Sequence, residues 1–206
     1  MLRMLVAIVA AWAALLPGRA AWAQETIAVT VPNNGGAMEG HTPRGFRGMG
    51  TGLFAGDNLN PGFPNGDGVH FFLSFDLSDL PAGALERAEL RSDFLQVTGH
   101  PFGDLGALRA ESIRYSRFSP DLWDQPAIAE ACVLADRAAP SVACDVTAAV
   151  TQAVAAGQQM AQFRLRLDQA SDNDGEADLV LFFISGSNVN EAGIFTLEVT
   201  LLPAAQ

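Results

Sequence analysis

Between Val69 and Leu90 the chain reads VHFFLSFDLSDLPAGALERAEL. Val69, Phe71, Leu73, Phe75 and Leu77 alternate with His70, Phe72, Ser74, Asp76 and Ser78. An apolar residue at every second position places one face of an extended strand in a core. His70 falls on the opposite face and reads as a surface residue. Phe72 shares that face, which predicts that it is partly covered. Asp79 to Ala84 contains the proline and glycine that end a strand and let the chain reverse. Alternation resumes as Leu85, Arg87 and Glu89 against Glu86, Ala88 and Leu90, and the run continues to Val97. Two adjacent strands are predicted.

The same periodicity recurs along the chain. Glu25 to Val31 alternates, as does Phe163 to Leu167, where Gln162, Arg164, Arg166 and Asp168 predict a wet, charged outer face. Leu108 to Tyr115 is a plausible strand. Leu179 to Ile184 is a nearly continuous apolar strand, and Phe195, Leu197, Val199 and Leu201 mark the last one. Helical spacing occurs once. Val146, Val150 and Val154 form one stripe, Asp145 stands where a helix N-terminus is capped, and Gly157 is a natural stop. About eight strands and one short helix predict an all-β fold, a jelly-roll-like antiparallel β-sandwich.

The Gly-rich stretch 32–68 interrupts this order with eleven glycines and no periodicity. It reads as a long loop within the domain. Its glycines do not match a dinucleotide fingerprint. Asp57, Asn58, Asn60, Asn65 and Asp67 supply calcium-type oxygens, although these are also ordinary loop residues.

The first 23 residues carry Arg3, the apolar run Leu5 to Leu16 and the small-x-small site Ala21-Trp22-Ala23. This is the pattern of a signal peptide cleaved after Ala23, leaving 24–206 as one domain, exported to the periplasm or outside the cell. No second apolar run follows, so no membrane span is expected. Cleavage removes Arg3 and Arg19. Ten arginines then face 23 acids, a net charge of 10 − 23 = −13, with no lysine. Nucleic acid is a poor partner for such a chain. Cys132 and Cys144 are the only cysteines, and in an exported protein they are expected to pair.

Two regions suggest chemistry. Asp168 to Asp178 is the densest acidic run. Asp168, Asp172, Asp174, Glu176 and Asp178, grouped around Gly175, are candidate ligands for calcium, which takes six to eight oxygens. A solvated acidic turn is the alternative. Trp123 and Tyr115 are candidate ligand-binding aromatics, with Phe46, Phe54 and Phe63 in the Gly-rich stretch; Trp123 also fits a loop anchor. His41, His70 and His100 are widely separated, and no Gly-x-Ser-x-Gly elbow occurs. No catalytic residues are assigned.

Phe75-Asp76-Leu77-Ser78, the turn Leu80-Pro81-Ala82-Gly83 and Ala88-Glu89-Leu90 resemble the opening of the DNRLRE domain family. Asp145-Val146-Thr147 with its helix, and the strands around Phe163 and Phe195, follow in the family's order. The resemblance spans about Glu25 to Leu202. It implies a jelly-roll sandwich similar to carbohydrate-binding modules, in secreted or surface proteins. The expected function is therefore a non-catalytic module of the carbohydrate-binding or structural envelope type, with a polysaccharide or envelope protein as partner. The alternatives are a hydrolase of polysaccharide or ester using acids in the Asp168 to Asp178 loop, and a protein-binding scaffold or adhesive subunit.

Overall fold

Strand-forming segments dominate the structure, a computed structural model that describes residues 26–34, 37–41, 47–50, 52–60, 63–183 and 192–203. The segment 1–23 read as a signal peptide lies outside the described residues. In chain order the strands are β1 (Ile27–Pro32), β2 (Ala37–His41), β3 (Arg47–Gly50), β4 (Phe54–Asn60), β5 (Phe63–Asp76), β6 (Gly83–Ser92) and β7 (Leu95–Thr98). The short helix α1 (Pro101–Asp104) leads to β8 (Leu108–Ser112). A 3-10 turn at Pro120–Leu122 precedes β9 (Ala129–Ala135) and β10 (Val142–Asp145). Helix α2 (Thr147–Ala155), β11 (Met160–Leu167), β12 (Asp178–Phe182) and β13 (Thr196–Pro203) complete the order.

These strands form two antiparallel sheets packed as a sandwich. One has the order β1-β13-β6-β10. The other has the order β7-β12-β4-β5-β11-β8-β9, with β2 bridging β5 and β3. The core between them is aromatic. Phe71, Phe75, Phe163 and Phe195 are all buried, with Leu73, Leu90, Leu165 and Leu197. Each such side chain contributes about 1.5–3 kcal/mol relative to exposure.

The alternation at Val69 to Leu77 is as read, but its partner is not. β5 pairs with β4, β11 and β2, whereas β6 pairs with β13 and β10. The Leu-Pro-Ala-Gly turn is therefore a corner that carries the chain from one sheet to the other, not a hairpin. Both strands turn an alternating apolar face to the shared core, and that pattern cannot say which sheet supplies the neighbour. The run to Val97 also breaks at Asp93, since β6 and β7 lie in different sheets.

The stretch 32–68 is not a loop. It holds β2, β3, β4 and the start of β5. Glycine lowers the strand signal in sequence, yet close backbone approach requires it here. Gly56 has φ +120, and a Cβ there would collide with the Asp178 carbonyl across the β4–β12 pair. The strand count thus rises to thirteen among the described residues, with β9 and β10 also unread in sequence.

Helix α2 covers the edge near β6 and β11. Val146 and Val150 are buried as expected, but Val154 is 47% exposed and Ala153 takes the inward position. Asp145 Oδ1 accepts from the Thr147 amide at 2.8 Å, which fixes the helix entry. Gly157, at φ +66, ends the helix. The Cys132–Cys144 disulfide joins β9 in one sheet to β10 in the other.

Candidate functional site

The outer face of β11 was expected to be wet, and most of it is covered. Segment 113–125 lies across it, with Ile113 and Leu122 packed on Phe72 and flanked by Tyr115 and Phe118. Arg164, only 6% exposed, is the fastening. Its Nε and Nη2 donate to Glu111 Oε2 at 2.8 and 2.5 Å. Its Nη1 donates to the carbonyls of Leu122, Trp123 and Gln125 at 2.9, 2.8 and 3.0 Å. Arg166 Nε donates to the other Glu111 oxygen at 2.8 Å. Burial pushes the Glu111 carboxyl up, but the bonds from Arg166 and Arg164 outweigh it and hold the group below its ordinary value.

The covering segment carries the two candidate aromatics, Tyr115 and Trp123. Trp123 lies flat on His70, with ring centroids 3.6 Å apart and planes within 5°. His70 is 6% exposed and not a surface residue. Trp123 is therefore a loop anchor. Tyr115 is held differently: its hydroxyl shares a 2.9 Å hydrogen bond with Ser74 Oγ, and its amide donates to Gln162 Oε1 at 3.0 Å. Tyr115 lines an open cleft of about 610 Å³ with Arg114, Arg117, Gln125, Gln158 and Gln162. Asp121 is the carboxylate of that lining. In the amide orientation that satisfies its neighbours, with oxygen and nitrogen exchanged, Gln158 Oε1 accepts from Arg114 Nη2 and Nε at 2.6 and 3.1 Å.

The acidic loop sits at one end of the sandwich, clasped against the turn that carries α1. That turn opens at Gly99 and closes at Gly106, both at positive φ. Asp178 Oδ1 accepts from the His100 amide, and Asp168 Oδ2 accepts from the Ala107 amide at 3.0 Å. The Gln169 amide donates to the Leu105 carbonyl at 2.9 Å. Through these bonds α1 brings Asp104 to the loop. Carboxylate oxygens of Asp104, Asp172 and Asp178 lie within 4.8 Å of one another. Three carboxylates at that spacing can hold a metal ion between them.

The predicted ligand set is therefore redrawn. Asp172 and Asp178 converge, and Asp104 joins them. Asp168 is engaged instead by Arg109, whose hydrogen bond, with that of the Ala107 amide, lowers its pKa. Asp174 accepts from the Glu176 amide at 2.7 Å, closing the Gly175 bend, and neither side chain joins the group. Asp104 carries no sequence signal, because it stands alone between Gly103 and Leu105 and reaches the loop only through the fold.

The fold and these sites define an all-β sandwich with an acidic, metal-competent end and a polar cleft on one sheet. No family model and no curated protein matches the chain. Among the described residues, no helix is long and apolar enough to cross a membrane. A disulfide joining the two sheets fits an oxidising compartment.

Proposed function

We propose that this chain is an exported, non-catalytic β-sandwich module that binds a polysaccharide in the Tyr115 cleft and calcium at its acidic end. The observation that carries the reading is the chemistry of the cleft. Gln125, Gln158 and Gln162 each spend part of their amide on Arg114, or on Ser74 and the Tyr115 backbone, and the remaining amide donors and acceptors face sugar hydroxyls. Arg114 and Arg117 add planar donors, and Tyr115 adds a ring whose position is fixed by Ser74. Glycoside hydrolysis needs two carboxylates facing across the substrate. The cleft lining supplies Asp121, so the composition favours binding over turnover. At the acidic end, an all-oxygen donor set on a bend matches calcium's preference for hard ligands and flexible geometry. The N-terminal segment and the disulfide support export to the periplasm or beyond.

Affinity electrophoresis of residues 24–206 through gels containing neutral or uronate polysaccharides tests the reading. Retardation of the wild type, reduced in Arg117→Ala and Tyr115→Phe, is expected. No retardation in any gel removes the polysaccharide reading, and retardation untouched by both substitutions removes the cleft as its site.

A further inference from the structure

The arginines of the Tyr115 cleft differ from most others in the chain. Past residue 23, ten arginines stand among 23 acids, so a guanidinium near the surface readily finds a carboxylate. Arg87, Arg91, Arg109, Arg164 and Arg166 each lie against one. Arg114 and Arg117 do not. The guanidinium of Arg114 is held by the neutral amide oxygen of Gln158. Among the described residues, Arg117 has no hydrogen-bond or ion-pair partner. Both arginines are exposed, and both line the cleft. Asp121 is the carboxylate of the lining, and it pairs with neither.

Two guanidinium groups on one cleft leave a local positive charge that the protein does not neutralise. A neutral sugar would leave it so. A carboxylate or sulfate ester on the sugar compensates it, through charge-assisted bonds roughly twice as strong as those between neutral groups. The planar fork of an arginine suits such oxyanions better than hydroxyls, and its weak hydration makes the exchange from water cheap. The excess of acids over the rest of the chain repels polyanions at long range. An acidic polymer that binds must therefore be held by short-range bonds in this cleft.

We infer that the cleft selects acidic polysaccharide, with Arg114 and Arg117 binding the carboxylate or sulfate groups while the glutamine amides bind hydroxyls. The inference rests on the reading that the cleft binds polysaccharide, and it names the class. Arg117, whose guanidinium is wholly free, is the principal anion ligand. Arg114, oriented by Gln158, is the second.

The test is calorimetric titration of residues 24–206 in chelator, where no divalent ion can bridge two acids. The probes are polygalacturonate against its methyl ester, which share a backbone and differ in charge, and dextran sulfate against dextran. At least one acidic polymer is expected to bind about tenfold or more tighter than its uncharged counterpart, and to lose about tenfold in Arg117→Gln. Which polymer responds tells a uronate from a sulfate ester. Arg137→Gln removes the same charge from an exposed position between β9 and β10, outside the cleft lining, and is expected to bind as the wild type does. Asp121→Asn removes the lining's carboxylate and is expected to tighten acidic binding by about threefold. Equal affinity for charged and uncharged forms overturns the inference and leaves the cleft reading standing. An acidic preference that Arg137→Gln lowers as much as Arg117→Gln also overturns it, because net charge alone then accounts for it. No binding to any of the four probes, with cleft-dependent retardation in the polysaccharide gels, overturns the inference alone. No binding in either experiment overturns both readings.

Discussion

Replacing Arg164 with methionine removes the guanidinium that fastens segment 113–125 to the sheet and keeps most of the aliphatic stem. Three carbonyls, those of Leu122, Trp123 and Gln125, lose their donor, and Glu111 loses one of its two arginines. Breaking a buried ion pair by removing one partner costs about 3–5 kcal/mol. Glu111 keeps Arg166 at 2.7 Å, which places the loss at the lower end, about 3 kcal/mol. For a domain of this size that corresponds to a fall in Tm of roughly 6–12 °C. Calorimetry of residues 24–206 reads the fall. Trp123 is the single tryptophan left after residue 23, so its fluorescence reports the loop directly. Emission shifts to the red well below the unfolding transition, as the Trp123–His70 stack loosens. Replacing both Glu111 and Arg164 by apolar residues costs less than the two single losses combined, since no charge is left buried between them. A Tm within about 2 °C of wild type, with unchanged emission, would refute this account of how the outer face is held.

Other predictions follow from the same geometry. Replacing Cys132 and Cys144 by serine frees the β9 and β10 edges and costs about 3 kcal/mol for a loop of this length, read by denaturant unfolding. Two reactive thiols in unreduced, denatured wild-type protein would remove its basis. Glu111, depressed in the fold below its ordinary value of 4.5, contributes stability that is full above that value and lost as pH falls through its folded pKa. Glu111→Gln accordingly flattens the acid limb of a stability-versus-pH profile; an unchanged limb contradicts the assignment. Gly99→Ala drives a Cβ into the Ala177 carbonyl and the Asp178 carboxylate at φ +68 and costs about 2–4 kcal/mol. Gly157→Ala, at φ +66 with open space around it, costs only about 1 kcal/mol. Equal losses for the two glycines would contradict the clasp between the α1 turn and the acidic loop.

The sequence carries the sandwich through period-two alternation, because that pattern reports a half-buried strand whatever its partner. It carries less of the topology. Val69 to Leu77 and Leu85 to Leu90 read as neighbours, yet the chain crosses between sheets at Pro81 and Gly83. Glycines at 56 and 68 erase the strand signal where neighbouring backbone or side-chain atoms leave no room for a Cβ. His70 and Arg164 look solvated from their alternation, and only segment 113–125, distant from both strands in sequence, brings the cover. The acidic loop was visible as composition. Its converging members were not, since Asp104 comes from the α1 turn and meets Asp172 and Asp178 only through the bonds that clasp that turn to the loop. The cysteine pair was legible because a chain with two cysteines has one intramolecular pairing open to it.

The most direct test of the central claim is binding of residues 24–206 to a broad polysaccharide panel, with and without calcium, with reducing ends assayed in the same samples. The account predicts saturable binding to at least one polymer, strengthened by calcium, with no release of reducing ends. No binding across the panel, or sugar release that scales with protein concentration, would contradict it.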